Sequence, residues 1–110
     1  MYQLISPQTI IQYFGDDDEE MLREMIQIII DTNLNDLKKL QPLYDKGEFL
    51  LIKKKCHKAK PSMSYVGAMK TRKLLEEIES DLENSHDTYK ELLRQIDIIE
   101  NELKVFLKGI

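Results

Sequence analysis

Cysteine is nearly missing from this chain: Cys56 is the one thiol among 110 residues. A single thiol excludes an internal disulfide and fits a reducing compartment. Two histidines and one cysteine at no ligand-like spacing argue against a structural zinc site, so no metal is expected on the chain itself. Long hydrophobic runs are also missing. Apolar residues make up 42% of the chain but are dispersed, and none of the runs approaches the roughly 20 residues of a membrane span. The N-terminus has no positive segment ahead of an apolar one and no small-residue cleavage site, which points to a cytoplasmic protein rather than a secreted one. Excess positive charge is absent too. With a net charge of −4, binding to nucleic acid or to an anionic membrane is not expected.

What is present is helical periodicity, and the length suits one small domain over residues 1–110. Ser6-Pro7 reads as an N-cap and first helical residue, opening a short helix with Ile10, Ile11 and Phe14 that Gly15 breaks. The acidic run Asp16 to Glu20 precedes Met21, Leu22, Met25, Ile28 and Ile29 at helical spacing, so it reads as a helix start facing the positive end of the helix dipole. That long helix is expected to continue through Leu37 and Leu40 towards Tyr44, with Pro42 bending or stopping it. After the Lys46-Gly47 turn, Phe49, Ile52, Cys56, Ala59 and Met63 form a core stripe on a second helix. A third helix carries Leu75, Ile78 and Leu82, and a fourth runs from Tyr89 to Phe106. No segment alternates with the period of a strand. The fold expected is all-α: an antiparallel up-down-up-down four-helix bundle with a short additional N-terminal helix. A start methionine and a complete set of helices favour a free-standing protein, and a bundle that closes its own core needs no second copy, so a monomer is expected.

The segment Lys53-Lys54-Lys55-Cys56-His57-Lys58-Ala59-Lys60-Pro61 concentrates positive charge around one histidine. On a helical wheel the core stripe centres about 120° from His57, so the ring faces water. Lys53, Lys54 and Lys60 fall within about 60° of it, one turn away, whereas Lys55 and Lys58 lie elsewhere. Leu50 and Ser64 each lie about 20° from His57, one an apolar contact for a docked partner, the other small enough to leave the ring accessible. Pro61 places its ring against the carbonyl of His57 and is expected to kink the helix there. An imidazole is a nucleophile in its neutral form, and the lysines would neutralise the two or so charges of an attached phosphoryl group. A general base, an oxyanion hole and a metal site are missing, so the chain alone has the parts of a carrier rather than of a hydrolase. His86 lies in a turn among capping residues and is given no role.

The stretch His57-Lys58-Ala59-Lys60-Pro61-Ser62, with Gly67 ten residues after the histidine, resembles the signature of the histidine-containing phosphotransfer (HPt) domains of bacterial phosphorelays. That resemblance implies that His57 is the phosphoacceptor, that Lys60 contacts the phosphoryl group, and that Gly67 lets the next helix begin close by. The implied partners are response-regulator receiver domains or a hybrid sensor kinase, with Mg²⁺ held by the receiver and no cofactor on this chain. Two positions depart from the pattern. Pro61 stands where the family has glycine, and Glu79 stands where many members have an amide within reach of the imidazole. A carboxylate there would accept the Nδ1 proton and leave Nε2 as the nucleophile, but it would repel a phosphoryl group unless paired with Lys60. The competing reading is a non-catalytic helical docking or scaffold module in which the lysines bind an acidic partner.

Overall fold

The computed structural model describes residues 2–110, and among them every regular element is helical. Helix α1 spans Pro7–Phe14 and starts at Ser6, whose Oγ accepts from the Thr9 amide at 3.3 Å. Helix α2, Glu19–Ile28, starts at Asp18, whose carboxylate accepts from the Met21 amide at 3.0 Å, with Glu19 and Glu20 in its first turn. The acidic run is thus a helix cap with dipole-compensating charge. The chain keeps right-handed helical dihedrals into a π-helical segment, Ile29–Leu34, and then α3, Asn35–Leu37.

Along this rod Leu22, Ile26, Ile29, Ile30, Leu34 and Leu37 are buried, while Met21, Met25 and Ile28 are exposed. The spacing fits both sets, so periodicity mixed two stripes that packing separates. The buried residues Leu22, Ile26, Ile30 and Leu34 are four apart, a spacing that drifts by roughly 40° per step on an α-helix. The wider π turn takes up that drift and keeps them on one side.

The rod does not continue to Tyr44. It ends at Leu37, where the Tyr89 hydroxyl donates to the Leu37 carbonyl at 2.8 Å and accepts from the Leu40 amide at 3.1 Å. A new short helix, α4, Gln41–Asp45, then begins with Pro42 in its first turn, where a missing N–H costs nothing. Helix α5, Phe49–Tyr65, and helix α6, Met69–Ser80, follow. A 3₁₀ turn, Leu82–Asn84, leads into α7, His86–Lys108. His86 is therefore the first residue of α7 rather than part of a turn. Its Nε2 lies 2.8 Å from Gln41 Oε1.

The ends of α4 and α5 share one device. Gly47 and Gly67 both have positive φ, and the amide after each glycine reaches back to the helix: Glu48 to the Leu43 carbonyl at 2.9 Å, Ala68 to the Met63 carbonyl at 2.8 Å. These are Schellman closures, which need a left-handed residue. Contacts across the turns pair residues in opposite order, Ser64 with Arg72 and Lys60 with Glu79, so α5 and α6 run antiparallel. Thr71 and Gln95 join α6 to α7 through a buried hydrogen bond of 2.7 Å.

The core comprises Ile52, Cys56, Ala59 and Met63 of α5, Leu75 and Ile78 of α6, and Leu92, Ile96, Ile99 and Leu103 of α7, closed by the rod residues. The segment before α1 is tied down at both sides. The Glu102 carboxylate accepts from the amides of Gln3, Leu4 and Ile5, and the Ser6 amide donates to the Val66 carbonyl at 2.8 Å. Among the described residues, no helix is long and apolar enough to cross a membrane.

Candidate functional site

The core stripe of α5 sets the direction of everything else on that helix. With Ile52, Cys56, Ala59 and Met63 wholly or almost wholly buried, His57 is turned outward and 75% of its side chain is exposed. It shares a shallow depression with Leu50, Lys53, Lys54 and Lys58. These five positions stand at 0, 3, 4, 7 and 8, one continuous helical stripe. The wheel placed Lys53, Lys54 and Leu50 correctly beside His57 but excluded Lys58. Its long side chain and its position four after Lys54 bring it back, and that spacing was legible. Lys55 points to the other flank, 3.8 Å from Asp36 on the rod.

Lys60 lies on the opposite flank of His57, towards α6, and is not free. Its Nζ is 3.3 Å from each carboxylate oxygen of Glu79, with only 16% and 14% of the two side chains exposed. Glu79 Oε2 also lies 3.8 Å from His57 Nδ1, longer than a hydrogen bond. Glu79 Oε1 is buried and, although near Nζ, has no partner in hydrogen-bond alignment. The carboxylate therefore stands between ammonium and imidazole with acceptor capacity unused. Cys56 senses this pair from the core side: burial first, and the Glu79 charge second, push its thiol up to about 12, with Lys60 acting in the opposite direction. The thiol is inert.

The neighbours named from sequence take more specific parts than expected. Pro61 is exposed and leaves α5 one helix from Phe49 to Tyr65, so the expected kink does not divide it. Beside the proline, Ser62 Oγ donates to Asn33 Oδ1 of the π segment at 2.6 Å, tying α5 to the rod. Ser64 does not merely leave space, because its hydroxyl accepts from the Arg72 guanidinium. At Gly67 a Cβ would lie 2.5 Å from Ser6 Cβ and 3.0 Å from its amide nitrogen. The glycine thus admits the N-terminal segment as well as closing α5. Nothing in the sequence pattern pointed to Asn33 or Arg72, since both contacts depend on how separate helices pack against α5.

The assembled site offers an open nucleophilic nitrogen, a carboxylate able to hold the proton on the other ring nitrogen, one ammonium tied to that carboxylate and three more along the stripe. Among the described residues no group of three or more histidine, cysteine or acidic side chains is placed to hold a metal ion. Comparison with known proteins returned no match: no family model, no curated protein and no solved structure matches this chain.

Proposed function

We propose that this chain is a phosphorelay intermediate, in which His57 accepts a phosphoryl group from the phosphoaspartate of a receiver domain and passes it to the aspartate of another. The observation that carries the reading is the exposed His57 ring on a lysine-lined stripe. On this reading the helices form an up-down-up-down four-helix bundle with a short N-terminal helix, and the receiver docks over Leu50, which is 66% exposed, and the flanking lysines. Nε2 attacks phosphorus in line, the bond from phosphorus to the aspartyl oxygen breaks, and the receiver's Mg²⁺ and acidic residues do the electrostatic work that this chain lacks. Lys53, Lys54 and Lys58 supply counter-charge to the phosphoryl group, while Lys60 keeps the nearby carboxylate neutralised. Partners are thus receiver domains or a hybrid sensor kinase in the cytoplasm, met by a monomeric carrier.

The test is incubation with a phosphorylated receiver domain and Mg²⁺, following label onto this chain. Acid-labile, base-stable label that disappears in His57→Ala is the expected result. Binding to receivers that persists in His57→Ala, with no label ever transferred, would instead assign the face to non-catalytic docking. One observation favours that second reading: Lys60 is committed to Glu79 rather than to the space above His57.

A further inference from the structure

We infer that the outer face of α2 is a docking surface for a basic amphipathic helix of another protein, independently of the carrier reading above. Nine large hydrophobic side chains are exposed among the described residues, and three of them, Met21, Met25 and Ile28, lie on this one helix. Their spacing of four and then three makes a seam of the coiled-coil kind rather than a scatter. It faces away from the core. Leu22, Ile26, Ile29 and Ile30, which are buried, lie roughly 80–180° around the helix from Met21. One turn beyond Ile28, Thr32 is exposed, but its hydroxyl donates to the Ile28 carbonyl at 2.6 Å, so its polar group is already satisfied where the seam ends. From Met21 to Thr32 the seam is roughly 16 Å long, which fits a partner helix of about 12–15 residues.

Charge decides what kind of helix fits. Residues 16–37 hold eight carboxylates and one base, Arg23, whose guanidinium is turned to the other side of the helix and hydrogen-bonded to the Ile110 carbonyl. Glu20 and Glu24 lie roughly 60–100° from Met21, on the flank away from the core. Asp31 joins that flank, where Gln27 donates to its carboxylate at 3.0 Å. All three are exposed, and none makes an ion pair among the described residues. An apolar seam edged with unpaired carboxylates selects lysine or arginine at the facing positions of its partner. Methionine in the seam adapts to differing apolar side chains. A second copy does not meet the requirement. Laid antiparallel on the seam it sets acid against acid, and laid parallel it faces the acids with Leu22 and Ile29, which carry no base. Its basic stripe on α5 presents Leu50, Lys54 and His57 at the seam spacing, a single apolar residue against three. The rod meets α5 at Ser62 and Lys55, roughly 150° around α5 from His57, so a helix bound on the outer side of the rod leaves the His57 face open.

The test titrates the full chain, labelled with nitrogen-15, with a synthetic helical peptide of about 15 residues that has leucines in its seam and lysines at the flanking positions. A second peptide carries glutamates in place of the lysines. Amide shifts should move within residues 20–32 and leave His57 and its neighbours on α5 in place. The lysine peptide should bind about tenfold or more tightly than the glutamate one, since several facing pairs turn from attractive to repulsive. Ile28→Lys should weaken binding of the lysine peptide by about tenfold or more, the scale of one apolar side chain lost from a buried seam. Glu24→Gln should weaken it by about twofold to threefold, the scale of one exposed ion pair. Both positions are exposed, so neither change should move the melting temperature, which separates loss of binding from loss of fold. Equal affinity for the two peptides, shifts centred outside residues 20–32, or unchanged affinity in Ile28→Lys would overturn the inference. So would a native dimer, seen by sedimentation, that Ile28→Lys dissolves, because the occupant would then be a second copy.

Discussion

Cys56 illustrates how one residue reports on its whole surroundings. It is fully buried on the core side of α5, next in sequence to the outward-facing His57, and its thiol is pushed up to about 12. It should be unreactive towards thiol reagents at pH 8 in the folded protein and react within the dead time once urea unfolds the chain, so labelling kinetics measure opening of α5. Fast labelling without denaturant would contradict the packing. The inward direction of Cys56 and the outward direction of His57 were both legible from spacing, because a helix of known phase fixes them together. The state of Lys60 was only conditionally legible. Its pairing with Glu79 requires α6 to lie antiparallel at one particular height, information that no single helix contains.

Among the helical elements, the two Schellman closures form an internal control. Gly47 and Gly67 both have positive φ, but a Cβ at Gly47 meets nothing within 4 Å, whereas at Gly67 it would meet Ser6. Gly47→Ala should therefore cost about 1 kcal/mol, the left-handed penalty alone, and Gly67→Ala about 2–3 kcal/mol, with the excess reflecting displacement of the N-terminal segment. Thermal melts of the two variants, differing by several degrees on a chain of this length, would show it. Equal costs would mean that the segment before α1 shifts freely. Helix starts at Ser6 and Asp18 were readable because capping is local. The stop at Leu37 was not, because it depends on the Tyr89 hydroxyl arriving from a helix some 50 residues later in the chain.

For the whole molecule, the tie between the end of the rod and the last helix contributes to the response to acid. Glu100 on α7 receives Lys38 from the end of the rod and Lys104 from its own helix, and hydrogen bonding to Lys38 is the main reason its carboxyl is held below the usual carboxylate range. A carboxylate depressed on folding stabilises the fold above its unfolded value of about 4.5, and that contribution is lost as pH falls through the lower folded value. Glu100→Gln should thus lower the urea midpoint at pH 7 and differ less from the native protein at pH 3.5. Glu91, held at about 2 in the fold by Arg94 and Gln95, loses its own contribution across the same window, but equally in both proteins, so it cancels from the comparison. A constant gap between the two proteins at both pH values would remove Glu100 from the acid response.

The π-helical segment Ile29–Leu34 bears on how the chain tolerates changes in its own length. A π turn takes about one residue more than an α turn, so this stretch is an ordinary helix carrying one surplus residue. Removing a residue elsewhere along the rod would swing everything on one side by about 100° and pull Leu22 and Ile26 out of the core. Removing an exposed residue here, such as Asp31, lets the segment tighten into an α-helix with both flanks still in phase. The rod has one place where a one-residue deletion can be absorbed, and it lies beside the contact of Asn33 with Ser62 of α5.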